Sequence, residues 1–163
     1  MKVKTYVLAG ATVLLYISAA SQDVRYEGIT PGDLAPGIKS LGNKSDLCFH
    51  NSSNRYTLLN FWASYDAESR ARNVELANKV SSLDDDKIAL CSVSFDENPS
   101  VFSGIIKIDK LSRDTQFNDV EGKKSALYRK YNLKKGFTNF LIDRNGIIVA
   151  KGITPEELAN LIN

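Results

Sequence analysis

Tyr56-Thr57-Leu58-Leu59-Asn60-Phe61-Trp62 is the stretch on which the fold turns, and its counterpart is Lys87-Ile88-Ala89-Leu90-Cys91-Ser92-Val93-Ser94-Phe95. The first run places apolar residues on both of its faces, the pattern of a central strand covered from two sides. Between the two runs, residues 66–82 read as a helix: Leu76, Ala77 and Val80, continued by Leu83 just past its end, fall three or four apart on one apolar face, while Arg72, Glu75 and Lys79 face water. Asp84-Asp85-Asp86 then ends the segment. Strand, helix and strand at this spacing predict a right-handed βαβ unit with parallel strands.

Working outward, residues 23–36 are turn-rich, punctuated by Pro31-Gly32 and Pro36-Gly37. Residues 38–49 read as a hairpin turning at Gly42-Asn43, and polar Asn51-Ser52-Ser53-Asn54 leads into the central strand. Downstream, 98–107 reads as a short helix, the stretch through Val120 as irregular, and 125–131 as another helix. The runs 139–142 and 147–150 flank Asp143-Arg144-Asn145-Gly146, and Asn-Gly between β-rich runs predicts a hairpin because both residues tolerate positive φ. Thr154-Pro155-Glu156-Glu157 opens a last helix with a Thr cap, a Pro in the first position and a Glu completing a capping box. The fold class is α/β: a mixed central sheet of four or five strands, helices on both faces, and an N-terminal hairpin extension.

Composition narrows the function. The 163 residues suit a single domain, and 43% apolar with 25% charged residues excludes a disordered or collagen-like chain. A net charge of +2 with no Lys/Arg stripe gives no footprint for nucleic acid. One histidine, His50, leaves too little for a zinc site or a His-based triad. Lys2 and Lys4 precede the uncharged apolar stretch 5–17 and then Ser18-Ala19-Ala20-Ser21, which describes a secretory signal peptide. The stretch is short for a membrane span, although an uncleaved anchor is the competing reading. Residues 1–20 are therefore expected to leave, and 21–163 to fold as one exported domain, periplasmic or extracellular. Losing Lys2 and Lys4 makes the mature chain neutral, so its net charge does not steer it to membranes.

Leu58-Leu59-Asn60-Phe61-Trp62-Ala63-Ser64-Tyr65 resembles the strand and active-site approach of the thioredoxin-like superfamily, closest to its exported TlpA/ResA-like (AhpC/TSA-related) thiol–disulfide oxidoreductases. In that branch the phrase leads into W-C-x-x-C. Pro31-Gly32-Asp33-Leu34-Ala35-Pro36 resembles the branch's entry motif, and Tyr131-Asn132-Leu133, Thr138-Asn139-Phe140-Leu141-Ile142-Asp143 and Gly146 its closing segment. The resemblance implies a thioredoxin-like fold across residues 29–163. Laid on W-C-x-x-C, Tyr65-Asp66-Ala67-Glu68-Ser69 puts Asp66 at the nucleophilic cysteine and Ser69 at the resolving one. Phe137 stands where the family carries its cis-proline, so the bond is expected to be trans. Dithiol exchange needs a thiolate to attack and a second thiol to release the mixed disulfide, which a carboxylate and a hydroxyl do not supply. By the same resemblance Tyr65, Asp66, Ala67, Glu68, Phe137 and Thr138 border a groove for a polypeptide partner.

The remaining chemistry-bearing residues have ordinary alternatives. Asp66 reads as a helix cap, favoured by the helix dipole; the functional alternative pairs it with Glu68 as acid and base or as oxygen ligands. Asp84-Asp85-Asp86 lacks the ligand spacing of a calcium loop, and neither a metal nor a cofactor is expected. Cys91 reads as a small buried hydrophobe. A Cys48–Cys91 disulfide and a Cys48–His50 pair are the alternatives for the thiols. The leading function is a redox-inactive, non-catalytic binding module. Against it stand a divergent oxidoreductase using Cys48 and/or Cys91, and a small-molecule or peroxide-handling relative weakened by the missing cysteine at Asp66.

Overall fold

The computed structural model describes residues 26–41, 44–47 and 55–162. The expectations for residues 1–20, for Cys48, for His50 and for the tip of the hairpin at Gly42-Asn43 fall outside these described residues. In chain order the elements are β1 (Ile38–Leu41), β2 (Lys44–Leu47), β3 (Tyr56–Trp62), α1 (Ala67–Ser81), β4 (Ile88–Ser94), α2 (Pro99–Ile108), β5 (Gln116–Asn118), α3 (Ala126–Lys130), β6 (Asn139–Ile142), β7 (Ile148–Lys151) and α4 (Pro155–Leu161).

β3 and β4 are parallel neighbours in register from Tyr56–Ile88 to Trp62–Ser94. β3 takes antiparallel β6 on its other side, giving the sheet order β5-β4-β3-β6-β7. β3 is thus the middle strand, which is why both its faces are apolar. Leu59 and Phe61 point with Cys91, Val93 and Phe140 into one core, closed by Leu127 and Tyr128 of α3. Leu58 points the other way, against Leu76 and Val80 of α1 and Leu158 of α4, and Trp62 on that same side packs on Phe102 and Ile106 of α2. Helices therefore cover both faces. Separately, β1 and β2 pair antiparallel, as the predicted hairpin extension.

Two readings need correction. The stretch through Val120 is not wholly irregular: Gln116–Asn118 adds parallel to β4 as an edge strand, its pairing set by the neighbour rather than by its own pattern. The β6–β7 hairpin forms, but not with positive φ at both Asn145 and Gly146. Only Gly146 is left-handed, at φ +81°. The Asp143 carboxylate accepts from the backbone N–H groups of Asn145 and Ile147, both at 2.8 Å, so a side chain holds the turn and one glycine suffices. The α4 capping box is present as expected, with Thr154 and Glu157 satisfying each other's backbone.

The segment before β1 docks on the sheet edge. Gly32 N–H donates to the Ile148 carbonyl and Ile148 N–H to that of Asp33, covering part of β7. Thr30 donates to the Asp33 carboxylate, which holds its pKa below the usual value. Gly28 lies so close to that carboxylate that a Cβ there would come within 2.2 Å of it. Tyr131 Oη donates to the Pro36 carbonyl at 2.7 Å, and burial keeps this phenol far above its ordinary pKa, a neutral donor.

Candidate functional site

The chain leaves β3 through Ala63-Ser64-Tyr65 and enters α1, so the helix N-terminus sits at the carboxyl end of the two central strands, where open α/β sheets place ligands. Asp66 caps that helix in extended conformation, its carboxylate accepting the Ser69 N–H at 2.8 Å. Ser69 is 1% exposed; its hydroxyl donates to the Asp66 carbonyl at 3.1 Å and accepts the Ala63 N–H at 3.3 Å. The capping reading of Asp66 describes this geometry. Glu68 instead turns to Arg72, 3.4 Å away on the exposed surface.

Asp96, just past β4, is a site residue that the sequence reading missed. It is 3% exposed, and its carboxylate accepts from the Ser64 N–H (3.1 and 3.2 Å), the Ser64 hydroxyl (2.6 Å) and the Ser94 hydroxyl (2.7 Å). It clamps the turn between β3 and α1 to the end of β4. The signal was there: Ser92, Ser94 and Asp96 alternate with Val93 and Phe95 at the period of a strand, so the polar set shares one inward face.

Phe137 closes the other side. The described peptide bonds are all trans, including its own. Its ring stacks on Phe95 (5.9 Å, 16°), meets Tyr128 edge-on at 6.2 Å and lies 6.3 Å from Tyr65. Its carbonyl accepts from Arg72 Nη2 at 2.7 Å, so Arg72 is half-buried and tied to this loop rather than simply facing water. Thr138, next along, accepts the Phe61 N–H through its carbonyl. Phe137 is therefore partly core, whereas Tyr65 is 56% exposed. The one-sided burial of Tyr65 raises its phenol pKa, and Tyr128, Asp96, Asp66 and Glu97 push it the same way. Beside Tyr65 opens a pocket of about 480 Å³ lined by Ser64, Asp96, Glu97, Asn98, Val101 and Lys123.

Cys91 lies elsewhere. Cys91 is buried at 4% exposure in the middle of β4, opposite Leu59, and three residues (about 10 Å at strand rise) from the strand end that carries the site. Both pairings offered for Cys48 lie outside the described residues. Among those residues, no cluster of three or more His, Cys, Asp or Glu is placed to hold a metal. At the Asp run, Asp84 accepts the Asp86 N–H and the Lys87 N–H, forming a turn.

A parallel βαβ core extended by an antiparallel hairpin and a capped helix, with a helix N-terminus facing a loop just before β6, defines a thioredoxin-like fold. A thioredoxin-like protein from Parabacteroides distasonis is 56% identical, over 84% of this chain and 97% of its own, at a TM-score of 0.78. A thiol-disulfide oxidoreductase from Bacteroides fragilis is 30% identical over 79% of this chain and 99% of its own, at 0.65. StoA from Bacillus subtilis shares the fold at 0.61 with 21% identity, over 82% of this chain and all of its own. The chain belongs to the thioredoxin-like family, among relatives of the thiol–disulfide oxidoreductases. No family model matches the sequence, and no curated protein does.

Proposed function

We propose that this chain is an exported thioredoxin-like protein that has lost dithiol chemistry and binds polypeptide in a groove bordered by Tyr65 and Phe137. The observation that carries the reading is the pair formed by the site's two halves. At the helix start, Asp66 and Ser69 bind each other's backbone as a cap and first turn. Beside them, Tyr65 presents an exposed ring backed by the Phe137–Phe95 stack. Such a surface offers apolar contact area at small entropic cost, because an aromatic side chain has only two rotatable bonds to fix.

Tyr65 is the informative residue, since Phe137 also supports the core. Tyr65→Ala should weaken binding of reduced, carboxymethylated insulin B chain, a thiol-free extended polypeptide, about fivefold or more. Stability should stay within about 0.5 kcal/mol of the parent. Titration by calorimetry checks the first and urea unfolding the second; unchanged affinity would remove the groove from the account.

Export rests on Lys2, Lys4 and the apolar stretch 5–17. Mass spectrometry of the protein from its native host should find a chain beginning near Ser21; an intact, cytoplasmic species starting at Met1 contradicts it.

A further inference from the structure

Lys123 Nζ lies over the Tyr65 ring, 5.3 Å from its centre, and both residues line one pocket with Val101. The ring is 56% exposed and Val101 43% exposed, so apolar surface and an aromatic face meet there in water. Asp96 and Glu97 line the pocket with Tyr65, and their charges, with that of Asp66 in the adjoining helix cap, raise the pKa of its phenol. Two of these carboxylates are engaged, Asp66 in the helix cap and Asp96 in its hydroxyl and backbone bonds. Glu97 is different. It is exposed on the pocket lining and, among the described residues, makes no hydrogen bond or ion pair; its side chain merely lies against Gly122.

The arrangement already holds a cation, supplied by the chain itself. An ammonium over an exposed aromatic face is weakly held, and Lys123 sits in an exposed turn beside an open pocket, so replacing it costs little. The pocket's volume, about 480 Å³, is in the range that takes a whole side chain and more. Charge complementarity then selects the occupant: an aromatic face, a carboxylate available for pairing and an apolar floor fit a long cationic side chain, whose methylenes pack on Val101 and whose head reaches Tyr65 and Glu97.

We propose that this pocket takes a lysine or arginine side chain from an extended partner segment, displacing Lys123 from the face of Tyr65. The proposal rests on the groove reading above and names the chemistry of its partner. Lys123 acts as an internal stand-in that competes with the partner's cation.

The test uses two capped synthetic peptides, Gly-Ser-Val-Arg-Val-Ser-Gly and the same peptide with glutamine in place of arginine. Each is titrated into the wild-type chain, Lys123→Met and Glu97→Gln by calorimetry, with backbone amide shifts locating the site. The arginine peptide should bind more tightly than the glutamine peptide. Lys123→Met should raise its affinity about two- to fivefold by removing the competitor. Glu97→Gln should lower it by a similar factor. Both variants change exposed side chains and should fold as the parent does. Equal affinity for the two peptides, with Tyr65 amide shifts, overturns the cation preference and leaves the groove standing. A loss of arginine-peptide affinity in Lys123→Met also overturns it, because Lys123 would then be a contact and not a competitor. No saturable binding of either peptide to wild type and Lys123→Met alike overturns the proposal and the groove reading together.

Discussion

Asn73→Ala should lower the unfolding free energy by about 3 kcal/mol, a large part of a typical domain's ~5–15 kcal/mol. Asn73 is fully buried on the sheet-facing side of α1. Its amide oxygen accepts from Asn60 Nδ2 at 3.0 Å and from the Ser92 hydroxyl, and its amide nitrogen donates to Gln116 Oε1 at 3.1 Å. One side chain thus ties α1 to β3, β4 and β5. Truncation removes partners from the buried Ser92 hydroxyl and Gln116 carbonyl, while Asn60 keeps its 3.0 Å bond to Ser92. Each orphaned group costs about 1–3 kcal/mol, because water cannot replace the lost partner. Urea unfolding should show the midpoint shift at unchanged slope, and the melting temperature should fall on the order of 10 °C. A loss under about 1 kcal/mol would mean the network is not what fastens α1 to the sheet.

That network marks the boundary of what the sequence made legible. β3, α1 and β4 could be read because their apolar residues follow strand and helix periods, and burial rewards those periods directly. Asn73 could not, since a polar residue on a core-facing helical position carries no periodic signal until its partners on three strands are known. Arg72 escaped for a related reason: its partner is a backbone carbonyl 65 residues away, which no spacing rule reaches. β5 was missed because three residues with polar Gln116 and Asn118 have no pattern of their own. At the site, the cap at Asp66 was visible from local chemistry. Asp96 was not recognised, because its role depends on Ser64 arriving from the other strand's turn.

The second large effect concerns chemistry. Asp66→Cys/Ser69→Cys should convert the chain from background to dithiol–disulfide exchange at least on the order of tenfold above it. The two positions are the cap and third residue of one helix turn, joined now by a 2.8 Å hydrogen bond. That geometry suits the ~4.4–6.8 Å Cα separation a disulfide needs. The helix N-terminus lowers the pKa of a thiol at its start, and the resulting thiolate attacks a substrate disulfide. The sulfur at the buried second position then displaces the substrate thiol and closes the internal bond, so two electrons pass from the dithiol to the substrate. Failure of the double variant to form an internal disulfide would show that the turn at Asp66 has departed from redox geometry altogether.

The central claim is that the wild-type chain keeps the fold without the exchange, and insulin reduction by the mature protein in the presence of dithiothreitol tests it most directly. The wild type, Cys48→Ser and Cys91→Ser should all run at the rate of dithiothreitol alone. Robust insulin reduction by the wild type, abolished by Cys48→Ser or Cys91→Ser, would contradict the account and place a working redox site on the remaining thiols.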